Sequence, residues 1–234
     1  MNESDGILEI EQAFADADQE KFLSAMATLD QEALIRPISN AIVEGVEKAE
    51  RVALGGIVFR GSQKAWGNYI TFVVYFMIGE AYRILKPNLE PWLGKKIVIG
   101  MAKNEVHNIG KNSVSALAAI AGFEVFDLGI DVPPLTFIEK VKEVDADVLC
   151  ISSLYSNGFE NVAETIEMLA KEGLEKRVMV QVGGSMTKGM ADEWGADAYG
   201  QCVSLSINCL KQMLDIETFP DERLGEGIIK REIA

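Results

Sequence analysis

The chain has 234 residues, 48% of them apolar, and carries 22 Lys+Arg against 36 Asp+Glu, a formal net charge of −14. That length and apolar content support one large domain or two small ones. Such an acidic balance argues against nucleic acid and anionic membrane surfaces as partners. The single histidine, His107, argues against a mononuclear zinc site built mainly from imidazoles, and against a Cys2His2 site. Cys150, Cys202 and Cys209 form no CxxC pair, which reads as a reducing compartment rather than a disulfide framework. The acidic start, MNESDGILEIEQ, lacks the basic and apolar regions of a signal peptide. The expectation is a cytoplasmic protein.

Taken in chain order, the first ninety residues read as amphipathic helices. Leu8, Ile10 and Phe14, then Phe22, Leu23, Met26 and Leu29, recur at three-and-four spacing, and Ile42, Val43, Val46 and Ala49 continue it. Leu54 to Gly67 is weakened by four glycines. Tyr69 to Leu85 is apolar on most faces, as for the central helix of a bundle. Its longest apolar run, Tyr69 to Gly79, is too short to cross a bilayer. Lys86-Pro87-Asn88 then punctuates the pattern. A bundle of four or five short helices is predicted over 1–90.

Beyond Trp92 the period changes. Short apolar runs rich in β-branched residues lie at Ile97–Ile99, Val125–Phe126, Val148–Ile151 and Val178–Val180, with a weaker one at Ala198–Tyr199. Helix-length segments separate them, near 109–121, 135–143 and 159–171, and a last one covers 204–214. Continuous apolar strands alternating with helices predict a doubly wound, flavodoxin-like (Rossmann-like) parallel sheet of five strands over 91–215. The α/β fold would thus follow an N-terminal helical bundle. Residues 216–234 read as a C-terminal tail.

Open parallel sheets bind ligands beyond the carboxyl ends of their strands. Four segments fall there: Met101–Gly110, Gly129–Pro134, Ser152–Gly158 and Gly183–Ser185. The first holds Glu105-Val106-His107-Asn108-Ile109-Gly110. Neutral imidazole is a good transition-metal ligand, and a neighbouring carboxylate can fix its tautomer. Gly110 would let a bulky planar or charged group approach the backbone. Alone, the segment reads better as a polar loop, since short motifs often occur by chance.

Forty-one residues then separate Gly110 from Ser152, which opens Ser152-Ser153-Leu154, and twenty-eight separate Leu154 from Gly183-Gly184. This pattern resembles the corrinoid-binding domains of cobalamin-dependent methyltransferases and mutases, whose fingerprint is Asp-x-His-x-x-Gly, Ser-x-Leu and Gly-Gly. The helical part is similar to the cap of corrinoid methyl-carrier proteins. The resemblance implies cobalamin as cofactor, bound base-off with His107 as the lower cobalt ligand. It implies that Ser152 and Leu154 line the channel for the displaced nucleotide tail, that Ser156 contacts the cofactor, that Gly183 and Gly184 leave room for the tail, and that Trp66, Tyr69 or Phe72 cover the upper face. It also implies a hinge near Pro87–Trp92.

Three departures stand beside the match. Glu105 replaces the family's aspartate, and Gly158 stands where some members carry a hydroxyl that supports the histidine, with Ser156 as a substitute. The cap region reads Lys64-Ala65-Trp66-Gly67-Asn68-Tyr69, without the usual acidic and proline-bearing stretch. Two functions follow from the resemblance. One is a carrier that shuttles a methyl group between a partner methyltransferase and a methyl-acceptor protein, with no catalytic side chain of its own. The other is a cobalamin-binding sensor, storage or delivery module. A mutase would need a substrate barrel that this sequence lacks. A homodimer stays open.

Overall fold

The computed structural model describes residues 2–57 and 62–217, with the side chains of 53–70 left out of the description. The described chain divides into two compact units, one holding the residues up to Glu90 together with Ala119–Gly122, the other the rest from Pro91.

Among the described residues the first unit contains four α-helices: α1 (Glu3–Ala15), α2 (Gln19–Met26), α3 (Ile35–Ile57) and α4 (Ser62–Leu85). Asn2 and Asp18 start the first two, each side chain accepting a backbone N–H three residues on, at 2.9 Å. Ile10, Phe14, Phe22, Met26, Ile42, Val46 and Ala49 are buried, and Phe14 meets Phe22 edge-on at 5.1 Å. The bundle differs from the expected run of short helices, because α3 and α4 span 23 and 24 residues. Leu8 and Leu23 are exposed, being off the stripe that Ile10 and Phe14, or Phe22 and Met26, turn inward. The same rule corrects α4. Val74, Met77, Ile78, Ala81 and Leu85 form its buried stripe, while Phe72 and Phe76 are 50% and 72% exposed. A helix in a four-helix unit can bury one stripe, not every face. The side chains of Trp66 and Tyr69 lie outside the described residues. A 3-10 turn, Lys86–Asn88, follows α4 where proline was expected to end it.

The second unit is a five-stranded parallel sheet in the order β2-β1-β3-β4-β5. Its strands are β1 (Lys96–Met101), β2 (Glu124–Asp127), β3 (Val148–Ser153), β4 (Met179–Gly184) and β5 (Ala198–Gly200). The helices are α5 (Ile109–Ile120), α6 (Pro134–Val144), α7 (Phe159–Lys171), α8 (Lys188–Trp194) and α9 (Val203–Met213). Val98, Leu149, Ile151, Val180 and Val182 share a core with Phe137 and Val141 of α6, Val162 and Leu169 of α7, and Ala191 of α8. Alternate strand residues face the other way. Ala198, paired with Gln181, packs with Leu205 and Cys209 of α9 in a separate cluster.

Helix α8 was not anticipated; it is a single short helix, capped at Thr187 and closed by Gly195. β3 and β4 also run further than the apolar runs suggested. Ser152 and Ser153 therefore end β3, and Gly183 and Gly184 end β4, rather than following them. After β1 the chain turns to β2 on one side, and after β2 it returns to β3 on the other. The crevice between β1 and β3 is thus the topological switch point, where ligands of such sheets bind.

Candidate functional site

The loop leaving β1 carries Glu105, whose side chain is buried with 1% exposure. Its Oε1 accepts the N–H groups of Val106 and His107 at 2.7 and 2.9 Å, and lies 2.6 Å from His107 Nδ1. Its Oε2 accepts the N–H groups of Leu154 and Tyr155, both at 2.8 Å. Burial alone would raise this carboxyl, but the bonds from His107, Tyr155 and Leu154 override it and hold the pKa down to about 2. An ionised carboxylate can only accept, so Nδ1 carries a proton, and in the neutral ring the lone pair is then on Nε2. The imidazole side chain is half-exposed and meets the Tyr155 ring edge-on, with centroids 4.7 Å apart.

Neighbouring loops hold this one in place. Asp131, before α6, accepts the N–H of Asn104 and the ammonium of Lys103, each at 2.9 Å. Asn157 donates to the carbonyl of Asn104 at 2.9 Å. Asn104 itself sits in the left-handed region, at φ +68°, an arrangement that persists only when surrounding bonds over-determine it. Lys111, buried on α5, reaches both oxygens of Asp127 at 2.6 Å and ties the helix start to the end of β2.

Glu105, His107 and Leu154 thus form one hydrogen-bonded group. Val106 and Ile109 are exposed beside it, Asn108 is half-buried with its carbonyl accepting Asn112 N–H, and Gly110 opens the first turn of α5. Ser152 pairs with Met101 and Gly183 across β3. Among the described residues neither Ser152 nor Ser156 bonds to the Glu105–His107 pair. At Gly158 a side chain has no room, since a Cβ would lie 2.4 Å from Ser153 Oγ. That hydroxyl donates to the Tyr155 carbonyl at 2.9 Å. At the end of β4, a Cβ on Gly183 would press on the carbonyl of Gly200 at 3.2 Å. On Gly184, at φ +100°, it would fall 2.1 Å from the carbonyl oxygen of Ser153. Sequence reading missed Tyr155, Asp131, Asn157 and Lys111. Only Tyr155 carried a signal, an aromatic directly after the Ser-x-Leu element.

The B12 binding domain family model matches residues 95–206. Dimethylamine corrinoid protein 2 of Methanosarcina mazei is 34% identical over 215 residues, covering 81% of this chain and all of that protein. Dimethylamine corrinoid protein 3 of Methanosarcina acetivorans is 43% identical over 136 residues, or 56% of this chain and 64% of that one. The chain belongs to the corrinoid-protein family. A crystal structure of a cobalamin-binding protein from Desulfitobacterium hafniense, 27% identical, superposes with a TM-score of 0.68 over 88% of this chain and 97% of that one.

The cofactor of this corrinoid protein is cobalamin, and the strand ends suit a large flat group. Val106, Ile109, Ile130, Leu135, Leu154 and Tyr155 are each more than 40% exposed, and all follow β1, β2 or β3. Exposed apolar side chains gathered at one edge mark a binding surface. Gly110 faces open space where a Cβ would stand. Among the described residues no group of three or more His, Cys, Asp and Glu side chains could hold a bare metal ion. One imidazole suffices for a metal that brings its own macrocycle. None of the described helices is long and apolar enough to cross a membrane.

Proposed function

We propose that the chain holds cobalamin base-off, with His107 Nε2 as the lower cobalt ligand, and carries a methyl group between a methyltransferase and a methyl-acceptor protein. The observation that carries this reading is the half-exposed imidazole whose Nδ1 is engaged by a buried, ionised carboxylate. That arrangement fixes the tautomer and strengthens the free nitrogen as a ligand. Ser152, Leu154, Ser156, Gly183 and Gly184 line the space for the nucleotide tail: the serines offer hydroxyls, and the glycines keep side chains out of a strand end where backbone already packs closely against backbone. Cobalt supplies the methyl-accepting and methyl-donating chemistry; the protein ligates, orients and shields it.

The test is electron paramagnetic resonance of the cobalt(II) form after reconstitution. Coupling to an imidazole nitrogen is expected in the parent and absent in His107→Ala. Coupling to the cofactor's own benzimidazole in the parent, or an unchanged spectrum in the variant, sinks the reading. One observation favours a second function, a sensor, storage or delivery module. Glu105 Oε2 is capped by two backbone N–H groups, and residue 158 has no hydroxyl to extend a proton path. Methyl uptake from a candidate methyltransferase after low-potential reduction separates the two. The names of the relatives support methylamine-type systems as the first donors to try. A homodimer is the assembly we propose, and sedimentation tests it.

A further inference from the structure

We propose that Tyr155 is a positioning residue: its ring sets the orientation of the His107 imidazole and so the strength of the bond to cobalt. The inference rests on His107 being the lower ligand. A half-exposed imidazole held only through Nδ1 could still swing about that single bond. Tyr155 supplies the second constraint, edge-on at 4.7 Å with the rings 65° apart, inside the range of attractive aromatic pairs.

The tyrosine backbone is itself held by three bonds. Its N–H donates to Glu105 Oε2 at 2.8 Å. Its carbonyl accepts from Ser153 Oγ at 2.9 Å and from the N–H of Gly158 at 3.1 Å. Because a carboxylate is planar and rigid, one group sets the His107 ring through Oε1 and the Tyr155 backbone through Oε2. An aromatic side chain 55% exposed would gain little from such anchoring if it served only the fold. Gly158 fits the same design, since its missing Cβ leaves Ser153 Oγ free to hold the Tyr155 carbonyl.

Because His107 is the sole histidine, its ring resonances can be followed without ambiguity. In the cofactor-free protein, Tyr155→Leu should displace them and Tyr155→Phe should leave them near their parental positions. In the reconstituted cobalt(II) protein, the ratio of histidine-bound to unbound cobalt should fall roughly two- to tenfold in Tyr155→Leu, the range expected for losing one aromatic pair. Tyr155→Phe should restore it. The cobalt(II)/cobalt(I) potential should rise in Tyr155→Leu, because a weaker lower ligand stabilises cobalt(II) less. Should Tyr155→Leu leave the ligation ratio and the potential at parental values, the proposal is wrong while His107 ligation stands. Should the parent itself show no imidazole coupling, the ligand assignment and this inference fall together. Far-UV circular dichroism and a urea midpoint confirm that both variants fold; if Tyr155→Leu does not, Tyr155→Met takes its place.

Discussion

Where β1 and β3 end, one buried carboxylate gathers five N–H donors and places an imidazole. Where β4 ends, two glycines let neighbouring backbone approach closely, tightly at Gly183 and at Gly184 to a distance that no side chain would permit. The first region is shaped by a group that is present, the second by groups that are absent. Both lie at the carboxyl edge of one sheet, yet they fail in opposite ways. The polar region is broken by taking something away, the glycine region by adding something.

The largest effect belongs to the glycine region. Gly184→Ala puts a Cβ against the Ser153 carbonyl and asks an L-residue to hold φ +100°. A loss of about 3 kcal/mol or more is expected, read as a lowered urea midpoint. A midpoint near the parent would mean that β4 can shift away from β3, and the contrast between the regions would weaken.

Next comes Glu105→Gln. It keeps the shape but removes the charge that all five donors face, at a cost of about 2 kcal/mol, and it should reduce cobalamin uptake as well. The same carboxylate predicts a pH effect with a defined sign. Its pKa falls from an ordinary 4.5 to about 2 on folding, so its contribution is complete above pH 4.5 and is lost as pH drops toward 2. Unfolding curves across that window should show a steeper acid decline in the parent than in Glu105→Gln. Equal slopes would show that the carboxylate is not the group held ionised.

The smallest change in stability is expected at Gly110. Alanine there meets nothing and suits the first turn of α5, so the cofactor-free protein should gain about 0.5 kcal/mol. Cobalamin uptake should nevertheless weaken if the cofactor lies over the start of α5 as proposed, because the added methyl takes up open space there. Unchanged uptake would remove Gly110 from the cofactor surface.

Much of this was legible in the chain because the signals were local. Ile97–Ile99 and Val148–Ile151 announce buried parallel strands by their unbroken apolar character, and the Pro87 punctuation ends α4 where it should. His107 stood out through its place after a strand. What was illegible depends on distance in sequence. Nothing in Glu105 says that its second oxygen will meet N–H groups at 154 and 155, and nothing in Gly158 says that Ser153 will occupy its space. The exposed faces of Phe72, Phe76 and Leu8 were misread for another reason: hydrophobicity marks what can be buried, while geometry decides which stripe is. Helix α8 was overlooked because seven residues with an internal glycine carry too little periodicity to register.

The reach of Glu105 has one more consequence. β1 and β3 pair with Met101 opposite Ser152, and the carboxylate takes its donors from two and three residues beyond that pair. A slip of β3 by a single residue would carry those N–H groups about 3.3 Å along the sheet and turn all of the strand's side chains to the opposite face. The slipped chain would have a sheet and helices, but Glu105 would lose the donors at 154 and 155. With the cofactor bound over this group, as proposed, its uptake would report strand register, and a misthreaded molecule would betray itself by staying colourless.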